Sequence, residues 1–282
     1  MNFKSFYIVY YQHRVKKSHF LLRLYIFLIL PISYIINKIL YPSITDLDKF
    51  SLKNNELFKK DLNYLFQYFN SDKGEKLINQ YRKPLNNVDT PINGHCYHKY
   101  YEKFFSSKKN KDIDLLEIGA FKGNAAAAFF FYFKNAKLTS CDLLPDLFLY
   151  KSKRIKKFQI NNSSEIELEK KLIEPKLRFD IIIEDAGHYL KDQIITLFML
   201  FKCLKPNGIF VVEELDFPDT RKDMNIFNER PTLKEILLAI KNKKKFESKY
   251  ISEQQKKYFL ENIGEINIFK GAHNEIAFIT KK

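Results

Sequence analysis

The chain has no tryptophan, only 8 glycines and only 3 cysteines among its 282 residues. Cys96, Cys141 and Cys203 are far apart and odd in number, and no CxxC pair exists. Neither a disulfide framework nor a structural zinc site is therefore expected, and a reducing, cytoplasmic compartment fits. Nothing resembles an RNA-binding aromatic signature or a zinc-finger spacing, so nucleic acid is not the expected partner. No internal repeat is present, and no small-residue cleavage site follows the apolar N-terminal stretch, which argues against a removable signal peptide. Acids are short as well: 33 Asp and Glu face 48 Lys and Arg, a formal net charge of +15. That excess suits an anionic partner such as a membrane surface or a phosphorylated substrate, and it equally suits a lysine-rich, solvated surface.

What is there is globular. Hydrophobic residues make up 45% and charged residues 29%, enough for a sizeable core, and the length suits one large α/β domain with added elements. The first distinctive stretch is "HFLLRLYIFLILPISYIINKILYP". Its uncharged run, residues 24–37, is shorter than the roughly 20 residues of a spanning helix, and Pro31 is expected to interrupt it. Arg14, Lys16 and Lys17 precede it, and the positive-inside rule would hold that end in the cytoplasm. The expectation is a helix lying in the inner face of a membrane, with packing on the domain or on another subunit of a homo-oligomer as the alternative.

Residues 45–70 show apolar residues at helical spacing, and residues 71–96 are polar and turn-rich. From residue 113 strands and helices alternate. "DLLEIG", "AKLTSCD", "RIKKFQI", "FDIIIED" and "IFVVEE" read as strands; "NAAAAFFFYF", the serine-capped "SSEIELEKKLI" and "YLKDQIITLFMLFKCL" read as helices, with "KPNG" as a turn. Two final strands, "EINIFKG" and "NEIAFITKK", suit an antiparallel hairpin on a sheet edge. The expected architecture is a doubly wound, mostly parallel α/β sheet with helices on both faces. The expected organisation is an N-terminal segment over 1–44, a helical cap over 45–110 that contributes to an acceptor pocket, and a nucleotide-binding domain over 111–282.

In such sheets ligands bind beyond the carboxyl ends of the strands. The first strand ends in "LLEIGAFKGN", where Gly119 allows a tight turn and Gly123 opens the next helix. The second strand ends in Asp142, about twenty residues on, where a carboxylate can accept hydrogen bonds from ribose hydroxyls. The turn is ExGxxxG rather than GxGxxG, which counts against a nicotinamide-dependent oxidoreductase without removing it.

With the C-terminal hairpin, the segment from about 113 to 282 resembles a class I S-adenosylmethionine-dependent methyltransferase. The resemblance implies a methionine cradle at Glu117, Gly119 and Gly123, a ribose acid at Asp142, and adenine contacts at Asn161 or Asn162. "EDAGH" after the fourth strand and "VVEEL" after the fifth resemble a narrower group, the metal-dependent, mycinamicin-type sugar O-methyltransferases. "NSDKG" (70–74) and "HCYHKYYEKFF" (95–105) are similar to that group's T-D-K and H-x-Y-x-x-x-Y elements. Three departures stand out: Ala186 and Gly187 replace Gly-Ser, a long insertion separates the upstream elements, and the fifth strand ends in Glu-Glu.

Within this resemblance His188 is the candidate base, and Asp185, Glu213 and Glu214 are candidate ligands of a divalent cation, with magnesium suited to carboxylate and water. His95, Tyr97 and Tyr101 are candidates for the acceptor pocket; for the tyrosines, packing of the preceding helix against the sheet is the favoured reading. His13, His19 and His273 read as surface residues. The expected activity is O-methylation of a sugar or glycan-like hydroxyl. The remaining alternative is a non-catalytic, membrane-associated binding protein on a methyltransferase fold.

Overall fold

Ile181, Ile182 and Ile183 are each fully buried because helices cover both faces of the sheet they belong to. The structure is a computed structural model, and it describes residues 1–12, 19–78 and 91–282; His13, Arg14, Lys16 and Lys17 lie outside the described residues. Seven strands form the main sheet: β1 (Asp114–Ile118), β2 (Lys137–Asp142), β3 (Ile155–Gln159), β4 (Phe179–Glu184), β5 (Leu204–Val212), β6 (Ile263–Lys270) and β7 (Glu275–Lys281). Their spatial order is β6-β7-β5-β4-β1-β2-β3. The five strands from β5 to β3 run parallel, and the β6–β7 hairpin is antiparallel and pairs onto β5. This is the Rossmann-like methyltransferase arrangement, with the antiparallel edge that the two last strands foretold.

Alternation along β4 distributes its isoleucines. Ile181 and Ile183 pack with the helices of one face, and Ile182 packs with those of the other. The first layer comprises α3 (Leu47–Lys53), α4 (Leu62–Tyr68), α5 (His98–Phe105) and α6 (Asn124–Tyr132). The second comprises α7 (Leu190–Leu200), α8 (Leu233–Lys241) and α9 (Glu253–Asn262). Every residue of α6 is buried. Its alanines permit close approach to the sheet, while Phe129 meets the rings of Phe66, Tyr101 and Phe105 at 5.5, 5.8 and 6.2 Å. The helices of residues 45–110 thus share the core of the sheet.

The strand and helix assignments differ from the sequence expectation in three places. "KPNG" is not a separate turn: it lies inside β5, where pairing with β4 slips between Phe179 and Ile181 and Asn207 takes a positive φ of 58°. Ser164 does cap a helix, accepting from the Glu167 amide, yet the helix is one turn (Glu165–Leu168) running into a π turn over Glu169–Ile173. Pro31 does not interrupt its segment. α2 runs unbroken from Phe20 to Ile39, preceded by α1 (Phe3–Tyr7) and a π turn over Ile8–Gln12.

Phe129 joins α4, α5 and α6 over the sheet. Phe129→Ala should therefore cost about 3–5 kcal/mol of unfolding free energy, read as a lower urea midpoint at unchanged slope. A loss below about 1 kcal/mol would show that this aromatic layer can collapse around the gap.

Candidate active site

The ladder brings the carboxyl ends of four strands into line. Ile118 registers with Glu184, and Glu184 registers with Val212. Beyond those positions the chain keeps the alignment: the Asp185 amide donates to Ile118 O at 2.8 Å, Glu213 N to Glu184 O at 3.0 Å, and Gly119 N to Cys141 O at 2.8 Å. A cavity of about 650 Å³ opens along this edge.

Its first half is built by the turn after β1. Gly119 has φ 94°, and a Cβ there would stand 1.9 Å from the Asp185 carbonyl oxygen, so only glycine fits where the two loops cross. Gly123, φ 80°, is the N-cap of α6 and lies against the Phe148 ring. Asp142 accepts from the Phe121 amide at 2.7 Å and the Leu144 amide at 2.8 Å, which fixes its carboxylate at the cavity wall. Burial raises its pKa, and those two amides oppose the rise. Glu117 is buried, with one carboxylate oxygen unpartnered among the described residues, and burial pushes it up to about 8 against the opposing pull of Lys73. The Asn162 amide nitrogen is likewise unpartnered among the described residues. Unsatisfied buried polar atoms beside a cradle that admits no Cβ are what an adenosyl cofactor with amino, carboxylate and hydroxyl groups would fill.

The second half is a cluster of acids, two histidines and one lysine. Lys73 is buried, ion-paired with Asp185 and, at 2.8 Å, with Glu213, and Tyr101 donates its hydroxyl to the same Glu213 carboxylate. Burial works against the ammonium, but Asp185 and Glu213 outweigh it, so Lys73 stays charged with a pKa well above the ordinary lysine value. Asp185 Oδ1 then lies 3.7 Å from His188 Nε2, and Glu214 Oε2 lies 3.6 Å from the same nitrogen. One donor atom each from Asp185, His188 and Glu214 falls within a mutual 4.8 Å. Burial first, then the charge of Asp185, raises Glu213 and Glu214 well above the usual carboxylate range. Glu214 Oε2 has no hydrogen-bond partner among the described residues. An acid-rich, partly buried donor set with an oxygen that lacks a hydrogen-bond partner among the described residues fits a divalent cation, whose charge would oppose the burial effect on Glu214.

His95 reaches the other Glu214 oxygen at 3.0 Å, while its Nδ1 meets the Asn274 side-chain amide at 3.2 Å. Burial lowers the pKa of His95, and it lowers that of His188 to about 4, so both rings are neutral. A neutral His95 that donates from Nε2 and accepts at Nδ1 satisfies both contacts. His188 (φ 55°) and Glu214 (φ 44°) hold the left-handed backbone region, which costs about 1–3 kcal/mol each for side chains of this kind.

The structure thus gathers most of the sequence candidates around one space. Glu117, Gly119, Asp142, Asn161 and Asn162 line the cavity, as do Asp185, His188, Glu214 and His95. Gly123, Glu213, Tyr97 and Tyr101 do not line it. Tyr97 and Tyr101 are fully buried in the core, with Tyr97 donating to the Glu275 carbonyl at 3.2 Å, and Glu213 is engaged with Lys73 and Tyr101 rather than joining the Asp185–His188–Glu214 group. Glu184 is the last residue of β4 and is buried, not at the edge. Lys73 and Asp72 were missed as site residues. Their only signal was the lysine within "NSDKG", and no local pattern says that it reaches across the fold to Asp185.

No protein-family model matches the chain, and no curated protein matches it in sequence. Solved structures do match in fold. The MycE methyltransferase from the mycinamycin biosynthetic pathway, in complex with Mg and SAH, superposes with a TM-score of 0.59 at 18% identity, covering 79% of this chain and 55% of that one. The same enzyme with Mg, SAH and mycinamycin VI gives 0.59 and 18%, covering 79% and 54%. A second crystal form of the Mg and SAH complex gives 0.58 and 19%, covering 79% and 53%. This chain spans about half the length of those chains, and at such identity the likeness shows the fold of a class I S-adenosylmethionine-dependent methyltransferase.

Breaking the ion pair from one side should be costly. Lys73→Met should lose about 3–5 kcal/mol of unfolding free energy by stranding Asp185 and Glu213, and adding Glu213→Gln should recover part of it in a double-mutant cycle. Additive losses would show that the two groups do not support each other.

Proposed function

We propose that the chain is an S-adenosylmethionine-dependent O-methyltransferase acting on a hydroxyl of a sugar or glycan-like small molecule, assisted by a divalent cation such as magnesium. The observation that carries this reading is that the glycine cradle with Asp142 and the Asp185–His188–Glu214 group open onto one cavity. The cofactor would supply a methyl group on a sulfonium that leaves as a neutral thioether, and the cation would supply charge beside the acceptor oxygen.

The residues divide the remaining work. Glu117, Gly119 and Asn162 would hold the cofactor's polar groups, and Asp142 would take its ribose hydroxyls while the Phe121 and Leu144 amides keep the carboxylate from turning. Asp185 and Glu214 would hold the cation. His188, whose imidazole lines the cavity beside Asp185 and Glu214, is the group placed to take the acceptor's hydroxyl proton. Lys73 positions Asp185 by holding its second oxygen, which leaves Oδ1 toward the cavity. His95 orients Glu214 in the same manner. A hydroxyl is a poor nucleophile, so this alignment and proton removal are what the site contributes.

S-adenosylhomocysteine should raise the thermal midpoint of the wild-type chain while NADH leaves it unmoved, and Asp142→Ala should abolish the response. Stabilisation by NADH alone would overturn the cofactor assignment.

His188→Ala should lower labelled methyl transfer into a sugar pool by at least about 100-fold while leaving the thermal shift produced by magnesium intact. Asp185→Asn should lose both. If His188→Ala also loses the magnesium shift, the imidazole is a ligand and its assignment as base fails.

A further inference from the structure

α2 is the largest feature that methyl transfer leaves unused. It is 20 residues long, about 30 Å, with mean hydropathy 1.9. Of its residues only Leu30 and Asn37 are buried. Phe20, Leu21, Phe27, Leu28, Ile32 and Ile35 stand between 56% and 77% exposed. Elsewhere in the chain aromatic and branched side chains of this size fill two cores, so a contiguous outward apolar face here calls for a cover. Length and composition alone would allow the helix to cross a bilayer.

The contacts at its two ends decide otherwise. Before α2, the Asn2 amide donates to Asp146 at 2.6 Å and the Ser5 hydroxyl donates to the same carboxylate at 2.5 Å. After α2, the Tyr41 hydroxyl donates to the Leu147 carbonyl at 2.7 Å. The chain on both sides of the helix therefore holds adjacent residues of one loop, whereas a spanning helix would set its flanks on opposite membrane faces, about 30 Å apart. α1 also folds back along the helix: Phe6 and Tyr11 bury Leu30, and Phe3 stacks edge-on to Tyr34 at 5.3 Å. One side of α2 is thereby covered by protein, and the opposite side is apolar and bare. Arg23 and Lys38 sit near its two ends, and the whole chain carries +15, which complements an anionic surface.

We propose that α2 is a monotopic anchor, lying in the plane of an anionic lipid bilayer with its outward face sunk into one leaflet. The loop that receives Asn2, Ser5 and Tyr41 is continuous with the cavity wall: Leu143 lines the cavity, and Leu149 N donates to the Lys122 carbonyl. The anchor thus fixes the cofactor side of the cavity relative to the membrane. The proposal stands on exposure and contacts, independently of methyl transfer.

The full chain should float with vesicles of phosphatidylcholine and phosphatidylglycerol on a sucrose gradient. Phe27→Asp with Leu28→Asp should reduce the bound fraction at least about tenfold while leaving the thermal unfolding midpoint unchanged, since both side chains already face outward. On the vesicles, tags at the two chain ends should both be open to added protease. Failure of the wild-type chain to float, equal flotation of the double variant, or protection of one tag alone would each overturn the proposal. So would a stable dimer that does not float, which would assign the apolar face to a second copy.

Discussion

One buried ammonium sets the geometry of the acid edge. Asp185, Glu213 and Glu214 follow two adjacent parallel strands, so the sheet ladder brings three carboxyl groups together, with Glu213 and Glu214 buried and Asp185 half-buried. Burial and the neighbouring charge of Asp185 raise the pKa of Glu213 and Glu214. Lys73 arrives from a turn more than a hundred residues earlier and is itself enclosed, so its charge acts through low dielectric. By engaging Glu213 and one oxygen of Asp185 it divides the acids. One stays structural, locked also by Tyr101, and the others present an oxygen each beside His188. The chemical character of the site thus depends on the turn at "NSDKG" as much as on the strand ends.

That division explains what could be read from the sequence and what could not. The strands were visible because a parallel strand covered on both faces must be apolar along its whole length, and "DIII" and "IFVV" have no other economical reading. The positions of Gly119 and Asp142 on the cavity wall were visible because they depend on local backbone, a turn and a strand end. For Tyr97 and Tyr101 packing was the favoured reading and both are buried, but Glu213 could not be placed, since which way a strand-end residue turns is decided by partners remote in sequence. Tyr101 points into the core because Phe66, Phe129 and Phe278 surround it, and it takes Glu213 with it. Lys73 was unreadable for the same reason. The run through Pro31 was misjudged because proline removes one hydrogen bond, whereas a 20-residue helix packed on α1 retains its others.

Strain at the site is tolerated because the loops that carry it are anchored on the central strands of the sheet. His188 and Glu214 hold positive φ, and Gly119 passes close under the Asp185 carbonyl. Each is an arrangement that an isolated loop would relax away from. Here the loops leave from β1, β4 and β5, at the centre of a sheet buried on both faces, and the first residues past the strands still donate to the neighbouring strand. The core therefore holds the loop ends in place, and the loops in turn hold the side chains.

The same logic applies at the other margin of the molecule. The N-terminal helices add little to either sheet core and form a small cluster of their own around Phe6, Tyr11 and Leu30. Among the described residues this apolar cluster is separate from the two that flank the sheet. The polar bonds shown between this N-terminal layer and the domain instead fall on Asp146 and Leu147, on the loop between Asp142 and β3. A layer that leaves its large side chains outward, yet is tied by polar bonds to the wall of the cavity, is arranged to transmit position rather than to add stability.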